Sequence, residues 1–293
     1  MTECDVAIVG AGPAGLVTAL QLRRYRVPAM LFEARHVGGL LLNANRVENY
    51  PGFPDGIAGL DLAQLFIEQV CRAAVSITPE EVLAVSYSNR GFEIKTDRGA
   101  HQARILVLAT GTRPQTFPEE LVGGVDGSRV HYEVYPLRHI EGSRIAIAGA
   151  GDAAFDYALS LAGRDNHVTI LNRGERVRCL PLLWERATAC ERIAYRSSTR
   201  IEKITSPSTG GLRLDCTAVT GKMYLEVDYL VGALGRTPRM ELLSCLPEAE
   251  MLQAEGCLYI VGDIHNGIYR QTAIAVGDGL RAAMKIYQYL QEA

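Results

Sequence analysis

Val6-Ala7-Ile8-Val9-Gly10-Ala11-Gly12-Pro13-Ala14-Gly15 is the stretch from which the architecture follows. Four apolar residues read as a buried strand, the glycines as a tight turn, and Pro13 as the first turn of a helix. Gly10 permits the turn, Gly12 lets backbone approach a pyrophosphate, and Gly15 allows the helix to pack closely on its strand. The unpaired amides and positive end of that helix then face the phosphates. Three glycines in six positions also occur in ordinary loops, so context carries the reading. Ala29 to Phe32 forms a second strand ending at Glu33, whose carboxylate is placed to accept hydrogen bonds from ribose hydroxyls.

The chain has 293 residues, which gives an expectation of about two domains with ample core. A formal net charge of -3, with acids and bases interspersed, leaves no footprint for nucleic acid or an anionic membrane. The apolar segment over residues 6–22 is interrupted by Gly, Pro and Thr and belongs to the nucleotide motif rather than to a membrane span. No signal peptide precedes it. Seven cysteines, Cys4, Cys71, Cys179, Cys190, Cys216, Cys245 and Cys257, form an odd set without CxxC spacing, which fits a reduced cytoplasmic setting and mostly small buried hydrophobes. Cys179 and Cys190 flank a Leu/Trp-rich segment and are the one pair considered for a disulfide. Six histidines show no ligand spacing with cysteines or carboxylates, so no metal site is expected.

Residues 38–56 are dense in Gly and Pro and read as loop. Asp61 is placed to cap a helix through Ala73 whose buried face would use Leu62, Leu65, Phe66 and Gln69. Val82 to Tyr87 and Phe92 to Thr96 read as a hairpin around Asn89-Arg90-Gly91. The strand Ile105 to Leu108 runs into Ala109-Thr110-Gly111, with Pro114 and Pro118 marking a linker. At Arg144 the opening pattern restarts, with Ile145 to Ala148 as strand and Gly149-Ala150-Gly151-Asp152-Ala153-Ala154 as a second glycine turn. A helix to Gly163 and strands at Val168 to Leu171, Ile201 to Ile204, Leu212 to Cys216 and Met223 to Val227 follow. Residues 229–238 then repeat the plan of residues 105–114, so the architecture is duplicated.

The two cradles differ where the second strand ends. The first stops in Glu33, the second in Asn172-Arg173, followed by Arg176 and Arg178. A carboxylate favours a free ribose 2′-hydroxyl and arginines favour a 2′-phosphate, which assigns FAD to the first site and NADPH to the second. The same arginines would also suit a solvated loop. Further on, Cys257 to Val261 reads as a strand ending in Gly262-Asp263, whose aspartate is suited to a ribityl hydroxyl. Ile268-Tyr269-Arg270-Gln271-Thr272-Ala273 opens a closing helix with its amino end towards the flavin ring. A plain capped strand-loop-helix reads equally well.

Together the segments GAGPAG, GG, VENYPGFPDGIAG, ATG, GAGDAA, LGRTP, VGD and IYRQ resemble, in order and over nearly the whole chain, the low-molecular-weight thioredoxin reductase family of two-domain flavoproteins. The resemblance implies an α/β fold of two Rossmann-like domains: residues 1–114 and 237–293 as a discontinuous FAD domain and 115–236 as an inserted NADPH domain, in a homodimer. It implies FAD contacts from Gly10, Gly12, Pro13, Ala14, Glu33, Gly38, Gly39, Leu40 and Asn49. Further FAD contacts would come from Val82, Thr110, Gly111, Gly262, Asp263, Arg270, Gln271 and Thr272. NADPH would meet Gly149, Gly151, Asp152, Ala153, Ala154, Arg173, Arg178 and Gly235.

This chain departs from that family in three places. The family's Cys-x-x-Cys-Asp before the second glycine turn is replaced by Tyr132-Glu133-Val134-Tyr135-Pro136, so no thiolate there can attack a disulfide. Leu40 replaces the usual glutamine, and Gly174 stands where a second arginine is usual. Tyr132 and Tyr135 either cover the flavin or fill the volume of the missing disulfide, and Glu133 either donates a proton near the flavin or, as expected, stands as an exposed carboxylate. The function expected is therefore an NADPH-dependent flavoprotein reductase whose electrons leave the flavin directly, with hydride passing from nicotinamide to flavin. Resemblance to disulfide-free ferredoxin-NADP reductases of the same fold makes a ferredoxin-like protein the leading acceptor. Quinones, free flavins or a soluble disulfide are the small-molecule alternatives. A redox sensor without turnover and a disulfide reductase using Cys179 and Cys190 are the competing readings.

Overall fold

A computed structural model describes residues 2–88, 91–208 and 210–292. The chain divides into two compact units. The first comprises Met1–Leu42, Val47–Arg113 and Pro238–Ala293, the second Asn43–Arg46 and Pro114–Thr237.

The first unit is built on β1 (Thr2–Val9), flanked in parallel by β2 (Ala29–Phe32) and β6 (Ala100–Leu108). Val6, Ala7 and Ile8 are buried on both faces, as a central parallel strand requires, which explains their unbroken apolar run. The sheet order is β3-β2-β1-β6-β5-β4, with β3 (Ile77–Thr78) at one edge and β4 (Val82–Ser88) and β5 (Gly91–Thr96) at the other. β6 divides its length between partners: its first half pairs antiparallel with β5, its last residues parallel with β17 (Leu258–Ile260). The turn residues Asn89 and Arg90 lie outside the described residues, but the strands on either side pair as expected. Between β1 and β2 runs α1 (Pro13–Arg24), and the closing helix α7 (Thr272–Glu292) crosses it. At the crossing, a Cβ on Gly279 would lie 2.2 Å from the Ala14 carbonyl oxygen, so only glycine allows this approach. The buried Thr18 hydroxyl bonds both the Ala14 and Gly279 carbonyls, at 2.8 and 3.2 Å. A short helix, α6 (Ala249–Ala254), precedes β17.

Two local expectations are corrected. Helix α2 (Gly59–Arg72) begins two residues before Asp61, with Ala58 at the cap position; Asp61 sits in the first turn, where its charge still complements the dipole. Its buried face is Leu62, Ala63 and Val70, with Phe66 partly covered, whereas Leu65 and Gln69 are exposed. Within the loop of residues 38–56, Gly39–Asn43 forms a 3₁₀ turn and Val47 bridges Ile57.

The second unit repeats the plan. β9 (Arg144–Ala148), α4 (Asp152–Ala162) and β10 (His167–Leu171) stand as β1, α1 and β2 do in the first unit. The all-parallel order is β11-β10-β9-β15-β8, with β11 (Ile193–Arg196), β15 (Tyr229–Gly232) and β8 (Val130–His131). An antiparallel sheet of β12 (Arg200–Thr205), β13 (Leu212–Ala218) and β14 (Gly221–Val227) lies between β11 and β15 in sequence. A four-residue helix, α3 (Glu119–Val122), precedes β8. Helix α5 (Pro181–Thr188) and β11 had no counterpart in the sequence reading. β7 (Thr112–Pro114), where Pro114 was expected to mark a linker, and β16 (Arg236–Pro238) pair as a two-stranded sheet. Among the described residues no helix is long and apolar enough to cross a membrane.

Candidate functional site: two glycine cradles

In the first unit, the Gly10 amide donates to the Phe32 carbonyl (2.8 Å) and the Ala109 amide to the Val9 carbonyl (2.9 Å), which folds the turn over the strand ends. Gly10 has a φ of +104°, and a Cβ there would lie 2.4 Å from the Ala109 carbonyl oxygen. On Gly15 it would lie 1.9 Å from the Gly10 carbonyl oxygen. Both positions exclude side chains for reasons of packing. Gly12 is different, because its nearest neighbour would be the Gly39 Cα at 4.0 Å. That position is open. Gly38 donates to the Ala11 carbonyl (2.9 Å) and draws the Gly38-Gly39 turn over Gly12 and Pro13.

Helix α1 starts at Gly12 with no side-chain cap and no acid in its first turn, so its first amides have no protein anion to satisfy them. An external phosphate fits that end. Glu33 lies beside it, half-buried, with one carboxylate oxygen accepting from the Ala11 amide (2.8 Å) and the other from the Arg35 amide (2.9 Å). An ionised carboxylate has lone pairs for further hydrogen bonds, so ribose hydroxyls fit as additional donors.

Of the other sequence-assigned residues, Gly262 packs on this cradle. Gly262, at φ +76°, packs against Ala14, where a Cβ would come within 3.0 Å of the Ala14 Cβ. Asp263 follows it, half-buried. Asn49 donates through Nδ2 to Gln271 Oε1 (2.8 Å), which joins the Gly/Pro-rich loop to the residues before α7; Arg270 precedes Gln271 and Thr272 starts the helix. Thr110 donates to the Arg239 carbonyl (3.0 Å), and Gly111, at φ +63°, accepts from the Arg239 amide. Leu40 lies in the 3₁₀ turn. Val82 opens β4 opposite Thr96 and packs into the apolar cluster containing Phe92 and Leu106.

The second cradle repeats the backbone hydrogen bonds of the first. The Gly149 amide donates to the Leu171 carbonyl (3.0 Å), the Ala233 amide to the Ala148 carbonyl (2.8 Å), and a Cβ on Gly149 would lie 2.3 Å from the Ala233 carbonyl oxygen. Gly151 has no neighbour within 4 Å of its Cβ direction and no side chain caps α4. Asp152 occupies the first turn, but its carboxylate is turned aside to accept the Leu180 amide (2.7 Å). Ala153 is exposed and Ala154 is buried where the first cradle has Gly15. The segment carrying the arginines is brought to this cradle: Arg178 bridges Gly151, and its amide donates to the Ala150 carbonyl (2.9 Å). Arg173, Arg176 and Arg178 are exposed. Gly235, at φ +106°, accepts from the Gln115 amide (2.9 Å).

Residues 132–136 are absorbed by the second unit's own packing. The Tyr132 ring fills the space over Gly232, where a Cβ would come within 2.8 Å of it. It tilts against Phe117 at 5.8 Å, and its hydroxyl accepts the Phe117 amide (3.1 Å). The Val134 and Tyr135 amides both donate to Asn43 Oδ1 (3.0 and 2.9 Å), and the Arg138 guanidinium lies 4.2 Å over the Tyr135 ring. Glu133 is not the exposed carboxylate expected. It pairs with Arg236 at 2.9 Å, and both side chains are partly buried. Adjacent Tyr157 is buried and its phenol is pushed up to about 12, chiefly by burial, with Arg236 opposing and Glu133 adding to the shift. Sequence reading missed this grouping because its members lie far apart in the chain.

None of the seven cysteines is in a disulfide. Cys216 and Cys257 are buried, Cys4, Cys179 and Cys190 are half-buried, and Cys71 and Cys245 are exposed, so fewer are buried than expected. Cys179 and Cys190 are separated by α5, whose eight residues span about 12 Å, well beyond the ~4–7 Å between Cα atoms that a disulfide bridges. Burial also raises the Cys179 thiol, which disfavours its thiolate.

Two phosphate-binding turns, each at the end of a central parallel strand, define a protein that holds two dinucleotides. Residues 4–279 match the pyridine nucleotide-disulphide oxidoreductase family, and the chain belongs to it. Members are FAD-dependent NAD(P)H oxidoreductases using FAD and NADPH, and this chain is such an enzyme. It is 30% identical to the thioredoxin reductase of Mycolicibacterium smegmatis, over 99% of this chain and 98% of that protein. To the thioredoxin reductase of Streptomyces coelicolor it is 29% identical, over 98% and 94%. The solved thioredoxin reductase of Lactococcus lactis superposes with a TM-score of 0.85 at 24% identity, covering 99% of this chain and all of that one, a likeness of fold.

Proposed function

We propose that the first unit binds FAD, the second binds NADPH, and electrons leave the flavin directly for an external acceptor without passing through an internal dithiol. The observation that carries this reading is the segment Tyr132–Pro136. It stands where the resembled reductases have their cysteine pair, holds no sulfur, and has Tyr132 and Glu133 engaged by Phe117, Gly232 and Arg236. The chemistry the two groups supply when bound is hydride donation from the nicotinamide and electron acceptance by the flavin. The chain would orient them: the open ends of α1 and α4 would hold the pyrophosphates, Glu33 would accept from ribose, and Asn49 with Gln271 joins the Gly/Pro-rich loop to the residues before α7.

The acceptor is a small redox protein or a small molecule, with a ferredoxin-like protein the first to try. The protein is a homodimer, and its free thiols suit the reducing cytoplasm. A disulfide acceptor is the second reading, favoured by the thioredoxin reductases among the relatives. It would need reduction at the flavin itself, since α5 holds Cys179 and Cys190 apart.

Anaerobic rapid mixing with NADPH tests the proposal. Expected are full bleaching of the flavin, an unchanged thiol count, and reoxidation by a ferredoxin or quinone faster than by oxidised thioredoxin. A gain of two thiols, or turnover with thioredoxin alone, would overturn it.

A further inference from the structure

The duplication places Asn172 where the first unit has Glu33, each directly after the last residue of the second strand. Both side chains accept the amide two residues on, Arg35 for Glu33 (2.9 Å) and Gly174 for Asn172 (3.0 Å). There the likeness ends. The second oxygen of Glu33 turns to its cradle, whereas Asn172 Nδ2 turns away from it, donating to the Arg176 carbonyl (3.2 Å) and the Tyr195 hydroxyl (2.9 Å). Both amide hydrogens are thereby engaged, and the residue is 6% exposed. Asn172 has no donor left for a phosphate.

Its bonds instead shape the segment that carries the cations. Gly174 is held from both sides, its amide by Asn172 and its carbonyl by the Ser198 amide (2.8 Å), so Arg173 projects from a turn fixed at either end. The Arg176 carbonyl is fixed by Asn172, the Arg178 amide by the Ala150 carbonyl, and the Leu180 amide by Asp152. Behind Asn172, the Tyr195 ring is locked edge-on to Trp184 at 5.1 Å and packs on Phe155 at the base of α4. Among the described residues none of the side chains of Arg173, Arg176 and Arg178 has a partner, and Glu175 is the one acid on the same turn. Three unspent cations on a pinned backbone are arranged before any ligand arrives.

We infer that Asn172 is a positioning residue for recognition of a nucleotide 2′-phosphate: it holds the Arg173–Arg178 turn in the shape that grips the phosphate, and so sets the preference for NADPH over NADH without touching either. This rests on the reading that the second cradle binds NADPH. Preorganisation of the turn matters most here because Gly174 leaves the segment one arginine short, and a loose backbone would scatter the remaining charges.

The test uses the full-length flavin-loaded protein and calorimetric binding of adenosine 2′,5′-bisphosphate and of AMP, with anaerobic flavin bleaching by NADPH and NADH alongside. Asn172→Ala is expected to weaken adenosine 2′,5′-bisphosphate about tenfold and leave AMP within about twofold. The apparent Kd for NADPH rises in step, and the limiting bleaching rate is unchanged. Tyr195→Phe, which removes one of the three bonds and keeps the ring, is expected to give about a threefold loss confined to the bisphosphate. Arg173→Ala separates the two levels of argument. If wild type and Arg173→Ala bind both ligands alike, the NADPH reading of the cradle fails. If Arg173→Ala loses the preference while Asn172→Ala keeps it, the inference about Asn172 fails. Equal weakening of both ligands by Asn172→Ala, with a lowered Tm, assigns Asn172 a merely structural role and also overturns it.

Discussion

The two cradles share their backbone and differ in what surrounds it. Gly10 and Gly149 sit in the same left-handed turn, each facing a carbonyl at a distance that forbids a side chain, from Ala109 in one case and Ala233 in the other. Yet the third glycine of the first turn becomes Ala154 in the second, the carboxylate Glu33 becomes the amide Asn172, and a first turn free of acids becomes one that contains Asp152. Backbone sterics therefore keep the two turns alike, while the side chains at the strand ends differ. Duplication keeps the first and frees the second to change.

The strongest way to break this comparison is to fill each turn in its own unit. Gly10→Ala forces a Cβ to 2.4 Å from a carbonyl at a positive φ and is expected to yield protein without bound flavin, destabilised by about 3 kcal/mol or more. Gly149→Ala meets the same obstacle at 2.3 Å and is expected to keep its flavin while losing reduction by NADPH. Visible absorbance after purification and anaerobic bleaching read the two outcomes; the reverse pattern would exchange the assignments. Next in size, Gly279→Ala pushes α7 away from α1, and a loss of about 2–3 kcal/mol in denaturant unfolding is expected, with weakened flavin retention. Thr18→Val removes a hydroxyl that bonds two carbonyls across that crossing and is expected to cost about 1 kcal/mol in the same measurement.

The smallest expected effect concerns pH. Hydrogen bonds from Thr96 and then His101 hold the Glu80 carboxyl below the usual glutamate range. A folded value below the unfolded one means that the contribution is complete above the unfolded value of about 4.3 and is lost as pH falls through it towards the folded value. Glu80→Gln is therefore expected to flatten the acid limb of a Tm-against-pH curve and to leave NADPH bleaching untouched. A limb as steep as that of the wild type would remove Glu80 from the account.

What the sequence made legible follows from the range of the interactions. The cradles were readable because strand, glycine and helix are consecutive, and the steric demand at Gly10 or Gly149 is met within a few residues and one neighbouring strand. Helix α2 was readable as a helix, but its cap was placed three residues late, and Leu65 and Gln69 are exposed because burial follows the tertiary packing partners, which spacing does not name. Helix α5 and β11 escaped because their signal is short and their support is tertiary, with Trp184 and Tyr195 packing on Phe155 from another helix. The pairing of Glu133 with Arg236 joins residues 103 positions apart, and no local pattern announces it. Asn172 shows the same limit. Sequence marked it as the absence of a carboxylate, and its bonds became visible only with Arg176 and Tyr195 in place.

The order in which the pieces leave the ribosome follows from the split first unit. Apart from Asn43–Arg46, the second unit is one continuous run, Pro114–Thr237, and its sheet is complete once β15 has been made. The first unit must wait for β17 to join β6 and for α7 to close over α1, both supplied by the last stretch of the chain. The second unit's sheet is therefore complete during synthesis before α1 of the first unit is covered, which waits until α7 has been made.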